Sequence, residues 1–170
     1  MNYAKYLDAS AATQLVVSGE ARTSELRQFF QPQTGFVMTP FCFYETLSTL
    51  KAKWRGRKDA TGKTVKITDQ QYHDACYLLL RYASSGKIAV DHDLDISSTT
   101  VQPEVEQLAR KHDLDISDAL QLLTLTKGKN RHFVDELQSL LITDDKLLSQ
   151  AAKREGMRYW FLADPTTKPI

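Results

Sequence analysis

The sequence predicts an α/β fold, a three-layer α/β/α arrangement around a central parallel sheet of about five strands. Three observations predict it. Short apolar runs recur along the chain, and most lead into a segment whose apolar residues fall at helical spacing. Strands that alternate with helices imply right-handed crossovers and a parallel sheet covered on both faces. The third observation is bulk: 170 residues, 42% hydrophobic and 25% charged, suit one globular domain with a shared core.

The elements follow in order. Residues 4–7 read as a strand ending in Asp8, and Ser10 is placed to cap a helix through Ala11 to Val17. Residues 35–39 form a second strand. After it, Pro40 suits a first helical turn, and Tyr44, Leu47, Leu50 and Trp54 recur at helical intervals. Thr68 caps a third helix, whose stripe is Tyr72, Cys76, Leu79 and Ala83 and whose stop is Gly86. Residues 87–90 are a third strand, followed by a polar loop through Ser97 to Thr100. Helices are expected over 103–112 and from Ile116 to Gly128. Residues 139–143 are a fourth strand, Asp144 and Asp145 open a helix that stops at Gly156, and 159–162 are a fifth strand. The domain is expected to span 1–163, with 164–170, polar and carrying two prolines, as a loose tail.

Charge and cysteine content exclude some classes. With 22 basic and 21 acidic side chains the net charge is +1, so a nucleic-acid surface must come from local segregation of charge. Cys42 and Cys76 have no Cys or His neighbour at zinc spacing and read as free thiols. His73, His92, His112 and His132 are dispersed and lack ligand spacing. No leader-like start and no membrane-length apolar segment is present, which points to the cytoplasm and away from a membrane.

In a parallel sheet, ligands gather beyond the carboxyl ends of the strands, near the switch in strand order. Asp8 stands at the exit of the first strand and Asp145 just past the exit of the fourth, so such a sheet brings both to one edge. Glu45 lies in the first turns of the helix after the second strand, and Asp118 in the opening turn of an apolar helix. Taken singly, Asp118 or Asp145 is explained by capping or by the helix dipole, and Glu45 by solvation. Asp8, between Leu7 and Ala9, needs a partner if buried. Four carboxylates brought together repel, and a divalent cation relieves that repulsion. Mg²⁺, or Mn²⁺, prefers oxygen ligands and can lower the pKa of a water for attack on a phosphodiester.

The segments Tyr6-Leu7-Asp8-Ala9-Ser10, Tyr44-Glu45-Thr46-Leu47, Ile116-Ser117-Asp118-Ala119-Leu120 and Thr143-Asp144-Asp145-Lys146-Leu147-Leu148 resemble, in order, the four acidic motifs of PIN domains. The resemblance covers most of the chain. It implies a Mg²⁺-dependent endoribonuclease in which Asp8, Glu45, Asp118 and Asp145 are the catalytic, metal-binding acids. Ser10 and Thr143 would give hydroxyl support. It places Asp145 as the last acid, with Asp144 as a cap or outer neighbour and a slip of one residue left open. Many stand-alone bacterial members similar to this chain are VapC-type toxins held inactive by a small antitoxin, so the resemblance implies such a partner.

RNA would meet the basic run Lys51, Lys53, Arg55, Arg57, Lys58, Lys63 and Lys66, with Trp54 and Tyr72 as stacking surfaces. A solubilising helix end explains the same charges. The Leu-rich stripe from Leu120 to Leu125 reads as core, and the sequence leaves a homodimer built on helices open. Two other functions compete with the nuclease. One is a catalytically inactive RNA-binding or scaffold domain of the same fold, in which acids are usually lost. The other is a receiver-like phosphate-accepting domain using Asp91, with Asp93 and Asp95 beyond it.

Overall fold

The structure, a computed structural model, describes residues 3–58, 62, 64–129, 132–133 and 137–169; at 57, 132–133 and 137–138 the description is of the backbone alone. Lys63 of the basic run lies outside the described residues.

Five parallel strands form the central sheet: β1 (Lys5–Leu7), β2 (Phe36–Met38), β5 (Ile88–Val90), β8 (Leu140–Thr143) and β9 (Arg158–Phe161). Their order across the sheet is β5-β2-β1-β8-β9, as expected for an α/β/α protein. Two small antiparallel pairs stand apart: β3 (Arg57–Lys58) with β4 (Thr64–Val65), and β6 (His132–Phe133) with β7 (Leu137–Gln138). The helices are α1 (Ala9–Val16), α2 (Thr23–Phe30), α3 (Pro40–Arg55), α4 (Asp69–Ser84), α5 (Val101–His112), α6 (Ile116–Lys127) and α7 (Lys146–Arg154).

The period of two along each strand sorts the core into its two halves. Leu7, Phe36, Met38, Leu140, Ile142 and Trp160 pack with α1 to α4 in the larger cluster. Their neighbours in sequence, Tyr6, Val37 and Leu141, are buried against α6 and α7 on the other face. Strands covered on both sides read as continuous apolar runs, which is why the short segments were visible in the sequence.

Helix starts carry the local chemistry expected of them. Thr39 caps α3 by accepting from Cys42 N–H, with Pro40 at the first position. Thr68 and Gln71 cap α4 reciprocally. At the far end of α3, Gly56 adopts φ 88°, a left-handed stop that a side chain would resist.

Three expectations are corrected. Asp8, not Ser10, is the N-cap of α1, because the helix begins at Ala9, which leaves Ser10 within its first turn. Helix α7 begins at Lys146 with Asp145 alone as its cap. The tail is not loose throughout. Pro165–Thr167 form a 3-10 turn, and Thr167 Oγ1 accepts from Phe161 N–H at 2.9 Å and donates to the carbonyl of the same residue at 3.1 Å.

The register aligns the strand exits. Leu7 is opposite Ile142, Met38 opposite Val90 and Thr143 opposite Phe161. The chain leaves β1 toward β2 and β5, then returns to the opposite side as β8, so the switch in strand order falls between β1 and β8. Asp8 and Thr143 stand at that switch.

Candidate metal centre

Asp8 is built into the switch point. Buried to 3% exposure, it is reached from three directions. Its Oδ1 accepts Ala11 N–H at 2.6 Å, its Oδ2 accepts the Thr143 hydroxyl at 2.6 Å, and Ser10 Oγ lies 2.8 and 2.9 Å from the two oxygens. Burial pushes its carboxyl up to about 7, against the pull of the Ala11 amide and the Thr143 and Ser10 hydroxyls, and the neighbouring Asp145 charge adds to the rise.

Thr143 Oγ1 also accepts the backbone N–H of Asp145 at 2.8 Å, so one hydroxyl ties Asp8 to the backbone of Asp145. Asp145 in turn accepts Leu148 N–H at 2.9 Å and caps α7. The capping role that would explain Asp145 singly is therefore real, and it coexists with proximity to Asp8. Asp144 faces away. Its Oδ2 accepts from Gln14 Nε2 at 3.0 Å, its N–H donates to Ser10 Oγ at 2.7 Å, and Arg22 attracts it. Geometry thus selects Asp145 over Asp144 as the neighbour of the other acids.

The opposite wall comes from α3 and α6. Ser117 Oγ donates to Glu45 Oε2 at 3.0 Å, fastening the two helix starts together. Asp118 stands in the first turn of α6, but the cap is Asp115, whose Oδ1 accepts Asp118 N–H at 2.9 Å. Among the described residues no hydrogen bond reaches the Asp118 carboxylate. Burial pushes it up to about 8, followed by repulsion from Asp115, Asp8, Asp145 and Glu45. Asp118 therefore lies within reach of the other three predicted acids, and Asp115 is a fifth that sequence reading missed. Its signal was available, since an Asp three before Asp118 at the head of an apolar helix is a cap pattern.

Beneath these acids lie Cys42 and Gln121. The Cys42 thiol donates to Gln121 Oε1 at 3.1 Å, both side chains are buried, and burial together with Asp8, Glu45 and Asp118 pushes the thiol far above its ordinary range. Both cysteines are free thiols, as expected. Cys42 is inert packing at the floor of the cleft.

The helices also set the sign of the local field. The N-termini of α1, α3, α6 and α7 meet at this edge, and each favours negative charge. The donor set is oxygen only, which suits a hard cation such as Mg²⁺ or Mn²⁺. Among the described residues no three His, Cys, Asp or Glu side chains converge tightly enough to enclose a metal ion. An ion that keeps several waters and takes one or two carboxylates directly matches so open a set. The residues present fit such an ion.

The basic run falls elsewhere. Helix α3 carries Glu45 near its start and Lys51 to Arg55 at its other end, about 9–15 Å further along the axis at 1.5 Å per residue. Lys53 pairs with Glu20 at 2.7 Å. The backbone of Arg57 and Lys58 continues into β3, and the Arg57 side chain lies outside the described residues. Trp54 and Tyr72, expected to receive bases, stack on each other with centroids 4.8 Å apart and planes 9° apart, and Trp54 Nε1 donates to Asp69. Asp91 stands at the exit of the edge strand β5, where it accepts the Tyr6 hydroxyl at 2.6 Å and meets Lys129 at 3.4 Å. A phosphate acceptor needs a carboxylate open to its donor, and this one is buried and engaged. Among the described residues no helix is long and apolar enough to cross a membrane.

Fold and site together define an α/β/α protein with an acidic cleft at the carboxyl edge of its sheet. No family model matches the chain, and no curated protein matches it. Among solved structures the chain is similar to PAE2754 from Pyrobaculum aerophilum, at TM-score 0.58 and 18% identity, covering 92% of this chain and 89% of that one. At that identity the likeness is one of fold.

Proposed function

We propose that this chain is a metal-dependent endoribonuclease of the PIN-domain type, in which Asp8, Glu45, Asp118 and Asp145 hold Mg²⁺ or Mn²⁺ and a phosphodiester of RNA is hydrolysed beside them. The observation that carries the reading is the Thr143 hydroxyl, which ties Asp8 to Asp145 at the switch point while Asp118 and Glu45 face them across the cleft. Carboxylates held together with raised pKa values are a usual mark of a functional site.

Each residue has a part in this reading. Asp8 and Asp145 form the fixed wall, their orientation set by Thr143, Ser10 and the two helix starts. Asp118 and Glu45 form the opposite wall, positioned by Asp115 and Ser117. A bound divalent cation supplies charge neutralisation at the phosphate and lowers the pKa of an attacking water. The reading extends to a toxin acting in the cytoplasm and restrained by a small antitoxin, which the motif resemblance supports.

The test is cleavage of RNA by the purified protein with Mg²⁺ or Mn²⁺, its arrest by chelator, and its loss in Asp8→Asn with the fold retained by circular dichroism. Undiminished cleavage by Asp8→Asn rejects the assignment. A calorimetric titration with no metal uptake at millimolar concentration would turn the reading toward a non-catalytic RNA-binding domain.

A further inference from the structure

Among the described residues three buried side-chain atoms have no hydrogen-bond partner: His112 Nδ1, Trp160 Nε1 and Gln121 Nε2. His112 lies at the end of α5 against Glu155, and Trp160 lies inside the larger core cluster. Of the three, Gln121 is the one on a helix that carries a predicted acid. Its side chain is fully buried, and its Oε1 accepts the thiol of Cys42, which has Asp8, Glu45 and Asp118 as charged neighbours. That contact fixes which end of the amide is left over. The Cys42 thiol keeps its proton, because burial and the nearby acids oppose its loss, so it needs an acceptor. Oε1 supplies one, and Nε2 remains a donor with nothing to donate to. Folded proteins leave few such donors buried, and each one calls for an explanation.

The acids supply the matching acceptor. Asp8 receives the Ala11 amide and the Thr143 hydroxyl, Asp145 the Leu148 amide, and Glu45 the Ser117 hydroxyl. Among the described residues the Asp118 carboxylate receives none; only its backbone N–H is bonded, to Asp115. Gln121 follows Asp118 by three residues in α6, a spacing that sets two side chains beside each other on one helix face. Helical side chains lean back toward the N-terminus, which carries the Gln121 amide toward the turn of Asp118. A donor without an acceptor thus lies one turn from an acceptor without a donor. We propose, resting on the nuclease reading, that Gln121 is a positioning residue: its Nε2 donates to one oxygen of Asp118 when that carboxylate serves a bound Mg²⁺ or Mn²⁺, and the other oxygen is left for the ion. Cys42, unreactive itself, keeps the amide from turning over. Groups that hydrogen-bond a ligating carboxylate hold its orientation, and metal affinity falls without them. Ser117 already donates to Glu45, so α6 supplies a donor to each acid of its wall.

The test uses Gln121→Met, a side chain of similar length without the amide. Calorimetric titration of the purified protein with Mn²⁺ alone should show affinity lowered about 10- to 100-fold. In an Asp118→Asn background the same substitution should lower it no further, because the carboxylate through which Gln121 acts is gone. A role in packing alone predicts the opposite pattern, a lower melting temperature without metal and an unmoved Mn²⁺ affinity. That pattern, or losses that multiply with Asp118→Asn, overturns the proposal. If Gln121→Met fails to fold, or Asp118→Asn takes up no Mn²⁺, the wild type decides by NMR. On addition of Mg²⁺ the Gln121 side-chain amide protons should move downfield, as donors do on gaining an acceptor, and signals that stay in place overturn the proposal. RNA cleavage keeps the two readings apart. Cleavage that Asp8→Asn abolishes, in a protein whose Mn²⁺ affinity ignores Gln121→Met, keeps the nuclease and rejects this role for Gln121. Mn²⁺ uptake that depends on Gln121, in a protein that cuts no RNA, keeps the role and rejects the nuclease.

Discussion

The hydroxyl of Thr143 lies 2.6 Å from Oδ2 of Asp8, joining residues 135 positions apart in the chain. The same oxygen receives the amide of Asp145, so the spacing of two acids is referred to one buried atom. Four testable consequences follow from this arrangement and its surroundings.

Thr143→Val keeps the shape and removes the hydroxyl. It leaves an Asp8 oxygen and the Asp145 amide each short of a partner, at a cost of about 1–3 kcal/mol. For a chain of this length that is a fall of roughly 2–12 °C in melting temperature, which thermal denaturation measures. Loss of that bond also takes away a group that lowers the Asp8 pKa, so any pH–rate midpoint assigned to Asp8 should move upward. An unchanged melting temperature would show that the bridge contributes no stability.

Asp144→Asn and Asp145→Asn should part company. Asparagine at 144 can still accept from Gln14, so RNA cleavage should stay within a few fold of wild type. At 145 the charge beside Asp8 is lost, and metal-dependent cleavage should collapse. The reverse ranking would move the fourth acid by one position.

Stability without metal should fall as pH rises. An unfolded aspartate has the ordinary value of 3.8, whereas burial raises Asp8 to about 7 and Asp118 to about 8. The folded protein therefore binds more protons than the unfolded chain between those limits, and stability present at low pH is lost as pH climbs through the folded values. The melting temperature of chelator-treated protein should decline from about pH 5 to about pH 8, and Asp118→Asn should flatten the decline. Mg²⁺ or Mn²⁺ should raise the melting temperature more at the upper end, where protons no longer compete for the carboxylates. A melting temperature that climbs across this range contradicts the raised values.

Salt dependence locates the strand. If RNA runs from the cleft along α3, Lys51→Ala and Arg55→Ala should each flatten the plot of log affinity against log salt by about 0.7, the value for one phosphate contact to a single strand. Lys53→Ala should do less, because Glu20 already holds that ammonium. Titration by anisotropy at several salt concentrations gives the slopes. Unaltered slopes in both Lys51→Ala and Arg55→Ala would take the RNA off this helix.

Much of the fold was legible because parallel strands buried on both faces leave dense apolar runs, and because Pro40, Thr68, Gly86 and Gly156 punctuate the helices. Helix α2 was not. Its N-cap position is Arg22, which makes no side-chain capping bond, so no residue announces the start of Thr23–Phe30. The short pairs β3–β4 and β6–β7 are two residues per strand, too brief for any period to register. For the site, strand exits placed Asp8 and Asp145 correctly at one edge, since a parallel sheet leaves few alternatives. The stacking of Trp54 on Tyr72 was invisible, because it depends on how α3 and α4 lie side by side and not on spacing within either. The separation of the basic run from the acids was hard to see for a related reason: closeness to Glu45 along the chain becomes distance along a helix axis.

Because β1 pairs with β8, the cleft needs both early and late parts of the polypeptide. A ribosome that has emitted everything through α6 has produced Asp8, Glu45 and Asp118, yet neither the Thr143 hydroxyl nor Asp145 exists to complete the wall. The acids thus come together only once β8 and Asp145 have been made, and a fragment terminating before Leu140 would carry three of them without the strand that fixes their spacing.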